Sequence, residues 1–198
     1  EHLLRHRSGI PEIQLVDAYF IIATLLFQAH WFTPGEILLW TYIPPPFPPM
    51  LDMHTGEEKP RQPVGEPGEV YHYSQPGYVA LGLIAEKVTG MELADVYAEQ
   101  ICAPAGLTHT HLPVPGDSVE PGGYTNLFGL LDEKVPGASL LRISANSFHS
   151  ASWSAGGLLC SARDLTRFLS AMLEAGLFSE AGLADATDWM RTGQGDGE

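Results

Sequence analysis

The segment Tyr71-His72-Tyr73-Ser74-Gln75 gathers polar and aromatic side chains directly before a mostly apolar stretch of the sequence. Loops that are held by a rigid element often carry functional side chains. A tyrosine phenol has a pKa of about 10, so it acts as a general base only where a nearby cation lowers that pKa. No Lys or Arg adjoins Tyr73 in the sequence. Tyr73 is therefore a candidate for proton transfer, and the alternative is an aromatic side chain that packs the turn.

Two other patterns could carry chemistry, but neither is complete. His2 and His6 are four residues apart, a spacing that two metal ligands on one helix face can have. No carboxylate completes a zinc pattern, so we predict no metal site. No glycine-rich phosphate-binding loop occurs either. The glycines of Trp153-Ser154-Ala155-Gly156-Gly157 could bring backbone close to a cleft, or they could serve packing alone.

The elements that would position these residues are predicted to be mainly helices. The clearest helix runs from Tyr78 to Thr89, where apolar residues dominate and Gly90 is a typical stop. A second helix starts at Thr33-Pro34-Gly35-Glu36, because Thr33 can cap it, Pro34 fits its first turn and Glu36 completes a capping box. We also expect helices over 15–30 and Met91 to Ile101, and a helix end and turn over 1–10. The stretches 44–68 and 105–150 are expected to be mostly irregular, with a short strand at 138–143.

The last predicted helix runs from Ser161 to Gly176 and is strongly amphipathic. Ser161 is a typical N-cap, with Asp164 three residues later. One face carries an apolar stripe of Leu165, Phe168, Leu169, Met172 and Leu173. Convincing alternating strands are nearly absent, so the predicted segment is helix-rich with long loops.

Composition and charge limit the classes of protein that this chain can belong to. Of 198 residues, 44% are hydrophobic and 17% are charged, which is enough apolar material for a core. The net charge of −14 with only ten basic residues disfavours nucleic acid or an anionic membrane surface as the main partner. The apolar run from Ala18 to Ala29 is shorter than the roughly 20 residues that a membrane span needs. Cys102 and Cys160 lie in apolar surroundings and are expected to be buried free thiols.

Four motifs in order resemble the serine β-lactamase-like family, which includes class C β-lactamases, D-alanyl-D-alanine carboxypeptidases and related esterases. The central motif here is Pro67-Gly68, then Tyr73-Ser74-Gln75-x-Gly77-Tyr78, then Leu81-Gly82-x-Ile84-x-Glu86-x-Val88-Thr89-Gly90. The family pattern is P-G, Y-S-N-x-G-Y and L-G-x-I-x-E-x-V-T-G. The others are Leu3-Leu4-x-His6-x-Ser8-Gly9-Ile10-Pro11, Ile101-x-x-Pro104-x-Gly106-Leu107-x-x-Thr110 and Ala155-Gly156-Gly157-Leu158-x-x-Ser161-x-x-Asp164-Leu165-x-x-Phe168.

The resemblance implies an α+β fold of the β-lactamase/transpeptidase type, of which this segment would supply mainly the helical lobe with long loops. It implies an acyl-enzyme mechanism on an amide or ester, with a serine nucleophile in Ser-x-x-Lys. Tyr73 then corresponds to the general base and acid, and Gln75 to the Asn that orients the substrate. By the same resemblance His6 supports a turn, no cofactor is needed, the partner is a small-molecule or peptide substrate, and an extracytoplasmic location is favoured.

The sequence departs from the family pattern in three respects. No Ser-x-x-Lys occurs, and the nearest run, Ser139-Leu140-Leu141-Arg142, follows Tyr73 and ends in arginine, which cannot release a proton near neutral pH. His54-Thr55-Gly56 precedes Tyr73, and Arg191-Thr192-Gly193 follows a helix-like stretch, so neither fits the family's K-T-G or H-x-G strand well. Gln75 is one methylene longer than the family's Asn.

These departures lead us to expect that residues 1–198 are a partial β-lactamase-like domain. The nucleophile segment would lie upstream and the K-T-G or H-x-G strand downstream, and the segment alone would be inactive. The predicted function is a serine hydrolase acting on an amide or ester. One alternative is a non-catalytic relative that binds peptides or cell-wall fragments, and another is an unrelated helical interaction domain. Neither the oligomeric state nor the choice among β-lactam, D-amino peptide and ester follows from the sequence.

Overall fold

Helices make up most of the regular structure. The computed structural model describes residues 1–12, 30–42, 62–117, 145–173 and 176–184, without the side chains of 145–148. The elements in chain order are α1 (Pro34–Tyr42), α2 (Gln75–Thr89), α3 (Leu93–Tyr97), a π-helical segment (Ala98–Cys102), α4 (Ala103–Ala105), β1 (Thr110–His111), α5 (Ala145–Ser152), a 3₁₀ turn (Trp153–Ala155), β2 (Leu159–Cys160) and α6 (Ala162–Leu173). The helix-rich prediction is confirmed. The predicted helix over 15–30, the strand at 138–143 and most of the 44–68 stretch lie outside the described residues.

Helix α1 begins as its capping residues predict. The Thr33 N–H donates to Glu36 Oε2 (2.7 Å), and the Glu36 N–H donates back to Thr33 Oγ1 (3.3 Å). This reciprocal pair satisfies two backbone donors that have no partner within the helix. The predicted start is therefore confirmed, and α1 ends at Tyr42.

Helix α2 ends where predicted but begins three residues earlier, at Gln75 instead of Tyr78. Its N-terminus is capped by Ser74, whose Oγ accepts the Gly77 N–H at 3.1 Å. Pro76 fits the first turn because an N–H there would have no helical partner. Gly90 has φ +70°, the left-handed conformation that ends many helices.

The predicted helix from Met91 to Ile101 has the wrong boundaries and is not regular. Helix α3 starts at Leu93, and the π-helical segment follows it, where the Ala103 N–H donates to Ala98 O. Pro104 lacks an N–H and so cannot continue the α-helical hydrogen bonding of the preceding turn. The helical stretch extends through α4 to Gly106, which has φ +66°.

The described residues fall into two units, 1–84 with 113–157 and 85–112 with 158–198. The core of the first unit contains Phe32, Ile37, Val79 and Ala151, each at most 5% exposed. The Phe32 ring meets the Trp40 ring edge-on at 5.3 Å between centroids. The expectation of one partial domain over residues 1–198 stays a prediction.

Helix α5 occupies part of the stretch that the sequence predicts as loop over 105–150. Its residues, Ala-Asn-Ser-Phe-His-Ser-Ala-Ser, include few strong helix formers. Contacts from distant parts of the chain stabilise it instead. Buried Ser150 accepts the Phe32 N–H at 3.0 Å, and Ala151 joins the core of the first unit.

The second unit contains a two-stranded antiparallel ladder in which Thr110 pairs with Cys160 and His111 pairs with Leu159. Helix α6 follows β2, and Ser161 caps it as predicted, with its Oγ accepting the Asp164 N–H at 3.1 Å. The predicted apolar stripe is not buried here, since Leu165, Leu169 and Leu173 are between 46% and 56% exposed.

Asp164 is fully buried in the second unit and links α6 to the chain before β1. Its Oδ2 accepts the His109 N–H (2.6 Å) and the Thr110 hydroxyl (3.0 Å). Burial alone would raise the pKa of Asp164, but these hydrogen bonds, with the charges of His109 and Arg167, bring it below the usual value. The carboxylate is therefore a charged structural group.

The two cysteines differ in their environment. Cys102 and Cys160 are both free thiols, as predicted. Cys102 is buried. Its burial raises the pKa of its thiol, and the negative charge of Asp164 raises it further. Cys160 is exposed, so the prediction that it is buried is wrong. Its position in a two-residue strand leaves little neighbouring structure to cover it.

Gly82 is required where α2 meets the turn at Trp153 and Ser154. A Cβ at position 82 would lie 2.5 Å from Ser154 Oγ and 2.7 Å from a Trp153 ring carbon. We expect Gly82→Ala to lower the free energy of unfolding by about 1–3 kcal/mol in urea denaturation, because of this overpacking. In Gly35→Ala the new Cβ meets no atom within 4 Å, so the higher helix propensity of alanine should raise stability by up to about 1 kcal/mol. Equal effects of the two substitutions would contradict this account of Gly82.

Asp164→Asn should destabilise the chain at neutral pH and change its response to acid. The pKa of Asp164 is lower in the folded state, so its stabilising contribution is present above the unfolded pKa of about 3.9. That contribution is lost as the pH falls through the folded pKa. Urea denaturation should therefore show a gap between wild type and variant at neutral pH that narrows below about pH 4. The exposed Asp95→Asn is the matched control, and a gap independent of pH would contradict the prediction.

Candidate functional site

Tyr73 lies in an extended segment whose backbone is tied to the first residues of the chain. The Val64 N–H donates to Gly9 O (3.0 Å), and the Gly68 N–H donates to Arg7 O (2.7 Å). Further along the same segment, the His72 N–H donates to His6 O at 2.7 Å. Residues 6–9, within the predicted helix end and turn over 1–10, are thus held against residues 64–72.

Hydrogen bonds also fix the chain directly after Tyr73. The Ser74 N–H donates to His6 Nδ1 at 3.1 Å, and the Ser74 hydroxyl donates to Pro11 O at 3.5 Å. Ser74 is only 1% exposed and caps α2 through the same hydroxyl. The residues on both sides of Tyr73 are therefore anchored, and one anchor is the rigid start of a helix.

Three tyrosine rings surround the imidazole of His6. Its ring centroid lies 4.6 Å from that of Tyr73 and 4.9 Å from that of Tyr78, with the Tyr78 ring nearly parallel. The Tyr71 ring meets it edge-on at 6.0 Å. The Tyr78 hydroxyl donates to Leu4 O at 3.1 Å. His6 is 8% exposed, so its imidazole is buried among these aromatic rings.

Glu12 and Gln75 complete the surroundings of Tyr73. The Gln75 N–H donates to the Glu12 carboxylate at 2.5 Å, which places a negative charge at the N-terminus of α2. The Gln75 side chain lies near enough to the Tyr73 phenol to lower its pKa. The structure therefore brings together the two predicted site residues, Tyr73 and Gln75, and adds a carboxylate beside them.

The electrostatic environment keeps the Tyr73 phenol protonated. Burial raises its pKa, and the charges of Glu12 and Tyr71 raise it further, while the Gln75 side chain lowers it. These effects together place the pKa above the usual value for tyrosine. Tyr73 is nevertheless 51% exposed. Within the described residues it can donate a hydrogen bond or a proton, and it would need a nearby cation to act as a base.

Glu12 and the contacts of His6 are the parts of this site that the sequence did not reveal. His6 entered as one of a histidine pair at metal-ligand spacing and as a turn-supporting residue, and Glu12 was not singled out. Glu12 and Gln75 are 63 residues apart in the chain, and His6 and Ser74 are 68 apart. A possible signal was the position of Glu12, directly after the Leu3–Pro11 motif of the family resemblance.

The remaining sequence candidates lie elsewhere or serve packing. A Cβ on Gly157 would lie 2.7 Å from the carbonyl oxygens of His149 and Trp153, so Gly157 allows its own turn to close. His54-Thr55-Gly56 and Arg191-Thr192-Gly193 lie outside the described residues. In the described part of the chain, no three His, Cys, Asp or Glu side chains are grouped to hold a metal ion.

The second unit contains an open groove of about 900 Å³ between α4 and α6. Its lining includes Arg163 and Arg167, and Arg167 donates to Gly106 O at 3.4 Å. Tyr73 is not among its lining residues, so the cleft expected in front of Tyr73 stays a prediction. Of the helices in the described ranges, none has the length and apolar character that crossing a bilayer requires.

Solved structures similar to this chain include amidases and penicillin-binding proteins. D-amino acid amidase from Ochrobactrum anthropi SV3, complexed with L-phenylalanine amide, is 23% identical with a TM-score of 0.60, and the match covers 92% of this chain and 45% of that one. A D-stereospecific amidohydrolase from Streptomyces sp. is 24% identical with a TM-score of 0.65, and the match covers 94% of this chain and 49% of that one. A penicillin-binding protein from Bacillus halodurans is 20% identical with a TM-score of 0.58, and the match covers 92% of this chain and 48% of that one.

The chain spans less than half the length of each of these three proteins. Its fold is therefore a portion of the β-lactamase/transpeptidase fold, as the resemblance implied, and the described residues are mostly helical with two short strands. The family model described as "Beta-lactamase" matches residues 1–198. Since that match covers the whole chain, the protein belongs to the β-lactamase family.

Proposed function

We propose that this chain supplies the tyrosine of an acyl-transferring active site. In this proposal a serine of the parent protein attacks the carbonyl carbon of an amide or ester and forms an acyl-enzyme, which water then hydrolyses. Tyr73 passes the serine proton to the leaving amine or alcohol, and Gln75 orients the substrate. Family membership and the arrangement around Tyr73 support this assignment.

The observation that carries the proposal is the combination of a fixed backbone and an accessible hydroxyl at Tyr73. The N–H groups of His72 and Ser74 are both bound to His6, while the Tyr73 side chain is 51% exposed. Proton transfer requires a group that is held within hydrogen-bond reach of its partner. A tyrosine that only packed a turn would be expected to bury more of its ring and hydroxyl. The geometry therefore favours the functional role.

The raised pKa of Tyr73 determines what the rest of the proposed site must provide. Burial and the Glu12 charge favour the neutral phenol, so Tyr73 carries the proton that a leaving group would take up. Its reverse role as a base needs a cation that offsets these effects, and the family's Ser-x-x-Lys supplies a lysine. The chain contains no Ser-x-x-Lys. The proposal therefore assigns the serine and the lysine to a part of the parent protein outside residues 1–198.

Among the substrates that the family can use, the similar structures favour an amide. Two of them are a D-amino acid amidase, complexed with L-phenylalanine amide, and a D-stereospecific amidohydrolase. Gln75 keeps the amide group of the family's Asn but moves it outward by about 1.5 Å, one carbon–carbon bond. We therefore propose that the substrate is positioned differently from that of a family member with Asn at this place.

A non-catalytic binding protein is the second candidate, and the Tyr73 environment is the observation that favours it. A phenol that burial and Glu12 keep protonated retains its O–H, which can donate a hydrogen bond to a bound peptide or cell-wall fragment. This candidate predicts that the parent protein binds such ligands but forms no covalent adduct with a fluorescent penicillin or a phosphonate.

In protein expressed from the full reading frame, Tyr73→Phe should slow acylation by about 10²- to 10⁴-fold, the usual contribution of general acid–base catalysis. The measurement is the rate of adduct formation with a fluorescent penicillin or a phosphonate, together with hydrolysis of an amino acid amide. Circular dichroism should be unchanged, because the substitution removes only a partly exposed hydroxyl. Tyr71→Phe is the matched control, since Tyr71 also faces His6 but is 63% exposed and lies outside the family motif.

Unchanged acylation in Tyr73→Phe would remove Tyr73 from the mechanism. Complete absence of adducts in the wild-type protein, with retained peptide binding, would favour the non-catalytic relative. An equal loss of rate in Tyr71→Phe would show that the aromatic group as a whole, and not the Tyr73 hydroxyl, is required.

A further inference from the structure

We propose that His6 is a positioning residue for Tyr73 and that it holds the Tyr73 segment only in its neutral form. The proposal rests on the proposed function in one respect, because it is that function which makes the position of Tyr73 important. The contacts that carry it belong to the folded chain itself and can be measured without any reaction.

His6 binds the backbone on both sides of Tyr73. Its carbonyl accepts the His72 N–H at 2.7 Å, and its Nδ1 accepts the Ser74 N–H at 3.1 Å. One residue thus fixes the peptide groups before and after Tyr73. This pair of bonds therefore restrains the backbone torsions that direct the Tyr73 side chain.

The imidazole has little freedom to turn away from Ser74. It is 8% exposed and packs against the rings of Tyr73 and Tyr78, whose centroids lie 4.6 Å and 4.9 Å from its own. The backbone of His6 has φ +51°, a left-handed conformation that few residues adopt. The direction of Nδ1 is therefore fixed by packing on one side and by the backbone on the other.

The hydrogen bond from Ser74 determines the protonation state of His6. A backbone N–H is always a donor, so Nδ1 must be unprotonated, and the proton of the neutral ring must be on Nε2. If a second proton were added at Nδ1, two N–H groups would face each other. The bond to Ser74 would then be lost, and the chain directly after Tyr73 would be released.

The groups that face His6 favour its neutral form. They are the phenols of Tyr71 and Tyr73 from the preceding segment and the phenol of Tyr78 from α2. The carboxylate of Glu12 binds the Gln75 N–H, and along the chain the Arg5 guanidinium pairs with Glu1 at 3.5 Å. Burial is the largest effect on the pKa of His6 and lowers it. Protonation is therefore expected only as the pH falls below about 6.5, the ordinary pKa of histidine.

The test is a pH titration of the 198-residue chain, followed by ¹⁵N NMR of the Ser74 amide and of the His6 ring. At neutral pH the His6 ring should show an unprotonated Nδ1 and a protonated Nε2. As the pH falls, the Ser74 amide shift should change together with the ring signals, with a midpoint below about 6.5. No nucleophile or substrate is needed for this measurement.

Two variants separate the proposed role from general support of the fold. In His6→Asn the side-chain amide can present an acceptor near the place of Nδ1, tolerates a positive φ and does not titrate. Its Ser74 amide should keep a hydrogen-bonded shift and lose the acid transition. His2→Gln removes an exposed histidine from the same segment and should leave the transition unchanged.

A Ser74 amide that does not follow the His6 ring, a protonated Nδ1 at neutral pH, or a midpoint at or above about 6.5 would each overturn the proposal. So would a folded His6→Asn that keeps the acid transition. If His6→Asn does not fold, the tautomer and titration of the wild-type chain decide the question. Failure of covalent labelling in the parent protein would count against the proposed function and leave this result standing.

Discussion

Two hydrogen bonds to His6 are the constraint on which the rest of this site depends. They join the start of the chain to the segment before α2, over a sequence separation of 68 residues between His6 and Ser74. These bonds lie on both sides of Tyr73. They therefore restrain the direction of a side chain that a loop would otherwise leave free. Helix α2 anchors the same segment through Ser74, which caps it. Pre-organisation of this kind is what a proton-transfer group needs, since small misplacements of a catalytic group cost much of its effect.

The Glu12 carboxylate places a negative charge near Tyr73. Glu12 faces the N-terminus of α2, binds the Gln75 N–H and disfavours ionisation of the phenol. A cation introduced beside Tyr73 would therefore interact favourably with both Glu12 and an ionised phenol. This is the place that a serine–lysine pair would occupy in the proposed mechanism. In the proposed mechanism, the described residues would contribute the tyrosine, the segment that supports it and a negative charge that attracts a positive partner.

Features that depend on neighbouring residues could be predicted from the sequence. The capping box of Thr33 and Glu36, the Gly90 stop of α2 and the Ser161 cap of α6 all involve residues within a few positions of each other. Helix α5 and the pairing of β1 with β2 were missed, because contacts from distant segments stabilise them. The same distinction applies to the site. The family motif pointed to Tyr73 and Gln75, whereas Glu12 became visible only when the fold brought it to Gln75.

The most direct test of the central claim is a crystal structure of the protein from its full reading frame with a phosphonate inhibitor bound. The account predicts a serine phosphonylated beside Tyr73, with the Tyr73 hydroxyl about 2.6–3.2 Å from the serine oxygen or the phosphonate oxygen. The Gln75 side chain should contact the inhibitor. A phosphonylated serine far from Tyr73, or a Tyr73 hydroxyl that faces away from an occupied cleft, would contradict the assignment.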